Sequence, residues 1–443
     1  DMFGTTYDPY HIEHCQEIFK KLYKNGYLYE KTILRPFCDK CNKFISDTEI
    51  EITCPECGRK TKGDNCDCGH VPNDQDLSHG TCLICGTETH LKENKVLVFK
   101  LSAFKNFLTS YLELNRPYWR ANSINETEKY LKDLQDRDFS RDLDWGVKIP
   151  IEGFESKSVW VWYEALLGYL TESMQICEAK GLDWQDFWKT DHCPQTEKLI
   201  YMCHAKDNIP FHSLFFPAML EGLNENFVAP NRMVSAEYLL MNNEKISKSK
   251  SGNTFEALSW ANEYNTDTLR YFFTVNGPEK KDCNFTLDLY KATHNEVVNK
   301  FGNLVNRTLK YKGLTEIPVG KVDEEIKKAI SDCYTSVSRE IENIEFKKAG
   351  NLVMDLIELG NKYFDDRKPW VQIKEDMNGF NDTIYTCAYL IANLSNLVEP
   401  FMPNSANAIR TYLGISNELK WEEITSFNTK IDIEKIQPLF TRI

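Results

Sequence analysis

The chain has no apolar run near the roughly 20 residues that a bilayer span requires. Its opening, "DMFGTTYDPYH", has neither the charged start nor the apolar centre of a signal peptide. A membrane protein is excluded as a reading, and the cytoplasm is the default location. The chain starts at Asp1 without an initiator Met, so removed upstream sequence is expected. Positive charge is also in deficit: 53 Lys and Arg against 66 Asp and Glu give a formal net charge of −13. A sequence-independent nucleic-acid binder needs a broad positive field over the phosphates, so that class is disfavoured, while local RNA contacts stay open. Neither G-x-x-x-x-G-K-[ST] nor G-x-G-x-x-G occurs, so any nucleotide site is of another kind. There is no internal repeat and no low-complexity segment.

Cysteine, by contrast, is plentiful. Of 15 cysteines, eight lie between residues 38 and 85, as Cys38-x2-Cys41, Cys54-x2-Cys57, Cys66-x-Cys68 and Cys82-x2-Cys85. Clustering of this kind indicates metal binding, not an oxidised scaffold. Two thiolates two residues apart can take adjacent corners of a zinc tetrahedron, and glycine follows the second thiolate in "CPECG", "CDCGH" and "CLICG" as a knuckle turn requires. Eight sulfurs make two structural sites. The preferred arrangement lets the outer pairs share one ion and the inner pairs the other. Cys66-x-Cys68 is one residue short, so His70 is an alternative ligand there. A closed four-ligand site fixes shape and leaves no open position for catalysis.

At 443 residues and 42% hydrophobic content the chain holds several domains. Ile12, Cys15, Ile18, Phe19, Leu22 and Tyr23 recur at helical spacing before Gly26. After the cysteine segment, "KVLVFKLSAFKNFLTSYLELN", "SVWVWYEALLGYL" and "EKLIYMCHAKDNIPFHSLFFPAML" read as strands running into helices. Such alternation predicts a parallel α/β sheet with ligands beyond its strand ends, interrupted by the zinc segment as an insertion. From about residue 286 onward only long amphipathic stretches remain, which predicts an all-α helical bundle.

Chemistry is expected at the strand ends. Trp162, Ala165 and Tyr169 bracket a small apolar pocket, Asp207 suits an ammonium group or a ribose hydroxyl, and His212 follows. Each also has a bland reading as core or helix-terminal residue. Arg141 in "DFSRDLDWG" can meet a phosphate or carboxylate, or form an ordinary salt bridge. "NNEKISKSKSGN", residues 242–253, sets Lys245, Lys248 and Lys250 among small residues. Taken alone it is a solvated turn; in an enzyme it is a cation that swings onto a triphosphate as charge grows there.

Together these segments resemble the methionyl-tRNA synthetases, class I enzymes whose KMSKS loop is matched here by "KISKS", Lys245–Ser249. The likeness runs along nearly the whole chain, through "FSRDLDWG", "VWYEALLGY", "AKDNIPFHSLFFPAML", "KISKSKSGN", "DTLRYFFTVNGPEKKDCNF", "NKFGNLVNR" and "KPW". It implies a partial Rossmann-type parallel sheet, with catalytic parts at residues 1–30 and 93–230. A zinc-binding connective insertion would occupy 31–92, the lysine loop with a stem-contact region 231–285, and an α-helical anticodon-binding domain 286–443. It further implies a methionine pocket of Trp162, Ala165, Tyr169 and His212, with Asp207 near the adenylate and Arg141 near the reaction centre. Lys245 and Lys248 would act on the ATP phosphates, ATP arriving as its magnesium complex. Asn303, Arg307 and Trp370 would read the CAU anticodon of methionine tRNA. Asn303 and Arg307, at i and i+4, share a helix face, and a tryptophan can stack on an unpaired base. Two knuckles resemble one branch's longer connective insertion, with zinc on Cys38, Cys41, Cys54, Cys57, Cys66, Cys68, Cys82 and Cys85.

Departures accompany the likeness. None of the nine histidines forms the H-x-G-H that the family pairs with its lysine loop, so the chain is expected to lack that half-site and to be inactive alone. "DMFGTT" lacks an arginine often found after its glycine, Leu166 stands where Pro or Thr is frequent, and Glu164 where Asp is common. Two other classes are alternatives: a non-catalytic tRNA-binding module and a zinc-knuckle interaction module. Synthetases for leucine, isoleucine or valine usually carry a large editing domain, for which this chain has no room. Further help in holding tRNA would come from sequence outside the chain or from a partner such as a multi-synthetase assembly.

Overall fold

A computed structural model describes every residue except 1, 64, 65, 67, 69–71, 73, 74, 247–256, 419, 442 and 443, and the side chains of all described residues except Lys245 and Ala257. The chain divides into two units, Asp1–Ser235 and Ala236–Ile443.

In the first unit, Asp8 starts helix α1 (Pro9–Lys24) by accepting the Tyr10 N–H at 2.9 Å, and Pro9 sits in its first turn, where no N–H partner is needed. Gly26, at φ 80°, lets the chain leave that helix in a left-handed conformation. Strand β1 (Leu28–Cys38) follows, then the short β2 (Lys43–Phe44), β3 (Ile50–Thr53), β4 (Lys60–Lys62) and β5 (Thr81–Cys82), and the long β6 (His90–Phe99). β1 and β6 pair antiparallel from Leu28↔Phe99 to Phe37↔His90, forming a long arm, a ribbon that β2 flanks at one end and β7 (Arg137–Asp138) at the other. An isolated ribbon is marginal in water. This one is held at both ends: Leu28 and Phe99 belong to the main core, and Phe37 and Cys38 are buried at the cysteine end, beside Ile45, Ile50 and Ile52.

Helices α2 (Lys105–Asn115) and α3 (Ala121–Lys132), strands β7 (Arg137–Asp138), β8 (Ser140–Arg141) and β9 (Ser158–Val159), and helix α4 (Val161–Lys180) complete the middle of this unit. α5 (Gln185–Trp188), β10 (Tyr201–Ala205), a wide turn of helix over Phe211–Phe215, α6 (Phe216–Gly222) and β11 (Arg232–Ala236) follow, β11 ending one residue into the second unit. Phe19, Leu22, Phe99, Phe139, Tyr163 and Phe216 fill the core, each burying a side chain worth about 2–3 kcal/mol of transfer free energy.

The α/β class is as expected, but the pairing differs from a simple parallel sheet. The longest ladder is antiparallel because its strands are the two sides of one insertion. "SVWVWYEALLGYL" also yields only two strand residues, since Tyr163, Leu166, Leu167 and Leu170 bury at helical spacing and carry the segment into α4.

In the second unit, β12 (Leu239–Met241) pairs antiparallel with β13 (Glu244–Lys245) and parallel with β14 (Cys283–Phe285). α7 (Ala257–Glu263) and α8 (Thr266–Asn276) lie between them in sequence. Among the described residues no strand follows Phe285. The remainder is α9 (Leu287–Val297), α10 (Asn303–Leu309), α11 (Glu324–Glu342), α12 (Phe346–Arg367), α13 (Pro369–Glu375), α14 (Met377–Leu397) and α15 (Pro403–Leu413). α14 is buried along nearly its whole length and forms the bundle's centre, packed by Ile357, Leu304 and Ile409 of its neighbours.

Candidate functional site

The eight cysteines converge in two sets. Cys38, Cys41, Cys82 and Cys85 form one, Cys54, Cys57, Cys66 and Cys68 the other, with the sulfurs of each set within 4.8 Å of one another. The Sγ separations are 3.4 Å for Cys38–Cys85, 3.9 Å for Cys41–Cys82, 3.7 Å for Cys54–Cys68 and 3.5 Å for Cys57–Cys66. Tetrahedral zinc with Zn–S of about 2.3 Å sets sulfurs roughly 3.8 Å apart, so the donor sets fit that ion. The knuckles are built by local backbone bonds: Gly58 N–H to Cys54 O at 2.9 Å and Gly86 N–H to Cys82 O at 2.8 Å, both glycines at positive φ. Hydrogen bonds from Arg59 hold the Cys57 thiol down at about 6, and hydrogen bonds from Thr87 do the same for Cys85, which favours the thiolate a metal needs. His70 lies outside the described residues.

The residues expected around methionine are set by α4 and by the segment after β10. Trp162, Ala165 and Tyr169, at i, i+3 and i+7, share one face of α4. Trp162 stacks flat on Phe211 with ring centres 4.0 Å apart. The Tyr169 hydroxyl lies 2.9 Å from His212 Nε2, and His212 Nδ1 lies 2.8 Å from the Asn208 carbonyl. A carbonyl only accepts, so Nδ1 carries the proton in the neutral ring and Nε2 receives the Tyr169 O–H. Burial, reinforced by the neighbouring His204, pushes His212 down to about 4. The ring is neutral at physiological pH.

Arg141 and Asp207 lie apart from that ring pair and line one cavity of about 460 Å³ with Trp160, Pro210 and Phe211. The Arg141 guanidinium sits 4.7 Å over the Trp160 ring and donates to the Ser140 carbonyl at 3.0 Å. Its burial lowers its pKa, which leaves an arginine charged all the same. Tyr169 faces a second cavity, of about 600 Å³, with Ser173, Phe187 and Tyr201. Phe211 joins the two groups, stacking on Trp162 and lining the Arg141 cavity. Phe211, Trp160 and His204 escaped the sequence reading; Phe211 stood inside a motif already singled out and His204 one residue before it, whereas the arginine–ring contact had no sequence signal.

Glu164 is buried, and its carboxylate meets His11 Nε2 at 3.1 Å, tying α4 to α1. Leu166 is buried in the main core.

In the second unit, Asn242 and Asn243, both at positive φ, make the tight turn between β12 and β13. Lys245 pairs through its backbone with Leu240. Lys248 and Lys250 lie outside the described residues. On α10, Asn303 donates to Asn361 at 3.4 Å, and Arg307 forms an ion pair with Asp365 while covering the Phe364 ring at 4.0 Å. Both residues therefore face α12. Trp370 stands in the first turn of α13, after Lys368 at φ 51°, and is 46% exposed.

Comparison with known proteins bears directly on these arrangements. Residues 1–309 match the family model "tRNA synthetases class I (M)", and residues 316–435 match "Anticodon binding domain of methionyl tRNA ligase". The chain belongs to the methionyl-tRNA synthetase family. Methionine–tRNA ligase 1 of Alkaliphilus oremlandii is 40% identical, the alignment covering 100% of this chain and 81% of the relative. Methionine–tRNA ligase of Bacillus cereus (strain G9842) is 39% identical, over 99% of this chain and 82% of the relative. Among solved structures, Mycobacterium tuberculosis methionyl-tRNA synthetase in complex with methionyl-adenylate superposes with a TM-score of 0.77 at 21% identity, covering 100% of this chain and 83% of that one. At that identity the likeness concerns the fold. Membership makes this synthetase a class I ligase that uses ATP, methionine and tRNA. Among the described residues, no helix is long and apolar enough to cross a membrane.

Proposed function

We propose that the chain supplies most of the active site and the tRNA-reading surface of a methionyl-tRNA synthetase, acting in the cytoplasm, where thiols stay reduced. The methionine carboxylate attacks the α-phosphorus of ATP and pyrophosphate leaves; the terminal ribose hydroxyl of tRNA then attacks the carbonyl of the adenylate and AMP leaves. Magnesium enters with ATP and spreads phosphate charge. Trp162, Ala165 and Tyr169 on one face of α4 wall the side chain, with Tyr169 fixed by the neutral His212. Asp207 receives the amino group or the ribose, and Arg141 meets the reacting phosphate or carboxylate. Lys245 and Lys248 steady the departing pyrophosphate. Zinc on the eight cysteines fixes the shape of the arm. In the bundle, Asn303, Arg307 and Trp370 read the CAU anticodon.

The observation that carries this reading is the pair of family matches, which run through both units; the Tyr169–His212 contact supports the pocket assignment. The missing H-x-G-H motif supports a finer statement: the 443-residue chain alone activates methionine poorly, because the second half of the ATP site lies outside it. Methionine-dependent ATP–pyrophosphate exchange tests both. The full-length protein should exchange with methionine and not with leucine, isoleucine or valine, and the chain alone should be at least about 10³-fold slower. Equal rates would refute the missing half-site, and exchange with leucine would refute the specificity.

A further inference from the structure

The Tyr169–His212 hydrogen bond works only while His212 is neutral, because a proton on Nε2 turns that atom from acceptor to donor. Directly against His212 lies His204, the fourth residue of β10, with ring centres 4.3 Å apart and planes at 14°. Two imidazolium ions cannot stack at that distance inside a protein, so the pair holds at most one proton. Its location follows from the partners. His212 has both nitrogens engaged, with Asn208 O and Tyr169 Oη. His204 Nδ1 donates to the Ala205 carbonyl at 3.0 Å, while its Nε2 is buried with no hydrogen-bond partner. Protonating His212 reverses the bond to Tyr169; protonating His204 reverses none.

We propose that His204 is a positioning residue of the methionine site that acts through His212: stacked on it, His204 takes the one proton the pair can hold and keeps His212 as the acceptor of the Tyr169 hydroxyl. Tyr169 then presents the same face to the substrate as the pH falls. Burial lowers the pKa of both rings, in keeping with a pair that is neutral near pH 7. The other charged or titratable groups felt at this cluster are Glu172 beside Tyr169 on α4, Cys203 beside Tyr169 from β10, and Arg120, ahead of α3, acting on Cys203. The influences on the His212 ring itself are burial, His204 and the Asn208 carbonyl. His204 is the one among them that can change charge.

The inference rests on the proposed methionine site, and two readouts separate the two. Imidazole ¹⁵N titration of the wild-type chain should show His204 taking the first proton as the pH falls. His212 taking it first would overturn the proposal. In His204→Phe, a stacking ring without a titrating nitrogen, the His212 midpoint should rise by about one unit. Methionine dissociation constants of the full-length variant should then be about fivefold weaker than wild type at pH 4, the gap closing above about pH 6. His204→Met, without ring or charge, should behave likewise and serves if the phenylalanine variant misfolds. A loss equal at all pH values marks a merely structural role and overturns the proposal. Wild-type protein that shows the expected proton order but binds no methionine contradicts the proposed function instead.

Discussion

Glu164 and His11 face each other in the first unit with both side chains nearly sealed from water, 6% and 5% exposed. Removing the carboxylate leaves His11 buried and short of one partner, with Thr171 still 2.8 Å from its Nδ1. Glu164→Ala should therefore cost about 1–3 kcal/mol in denaturant unfolding, while replacing both residues by leucine should recover much of that loss. Glu164 stood out in the sequence as a departure from the usual aspartate, but its partner is 153 residues away and had no local signal. A longer side chain that reaches α1 is the physical reason the position tolerates glutamate. His212 gives a pH-dependent counterpart. Burial takes it from an ordinary 6.5 to about 4. As the pH falls between those values the unfolded chain binds the proton first, so stability is fully present above 6.5 and is lost toward pH 4, about 3 kcal/mol in all. In His212→Phe, the slope of unfolding free energy against pH over that window should flatten. Of this cluster, Trp162, Tyr169 and His212 were legible because they sit in motifs; the tautomer and the His204 stack depend on contacts that spacing does not encode.

At the scale of elements, the cysteine arm was the most legible part, since knuckle geometry is local: two residues between thiolates and a glycine after them determine the turn. The nesting of outer and inner pairs agrees with the geometry, because the antiparallel β1–β6 ladder brings Cys38 and Cys85 back to one end. That ladder was not legible, as antiparallel return across some fifty residues leaves no periodicity to read. Chelation of zinc should unfold the arm beyond Phe37 and make residues 38–89 the first site of proteolysis, while the second unit keeps its helical signal. Cys57→Ala should halve the zinc content measured by atomic absorption, and Cys38→Ala should do the same. On the role proposed for Lys248, Lys248→Ala in an active enzyme should lower the rate of methionyl-adenylate formation by about 10²–10³ with little effect on methionine affinity.

For the whole molecule, the change of period near residue 286 foretold a bundle, which the helices after Phe285 form. The proposed anticodon-reading residues rest on the resemblance alone. Helical spacing places Asn303 and Arg307 on one face, but that face packs against Asn361 and Asp365 of α12, whereas Trp370 is open to solvent. A stacking role therefore falls most directly on Trp370, and Arg307 must exchange its carboxylate partner for a base or phosphate. The most direct measurement is binding of methionine tRNA with its CAU anticodon, against the same tRNA with a changed anticodon, at low and moderate salt. A clear preference for CAU by this chain, lost in Trp370→Ala or Arg307→Ala, is the expected result. Equal binding of both tRNAs by the folded chain would contradict it.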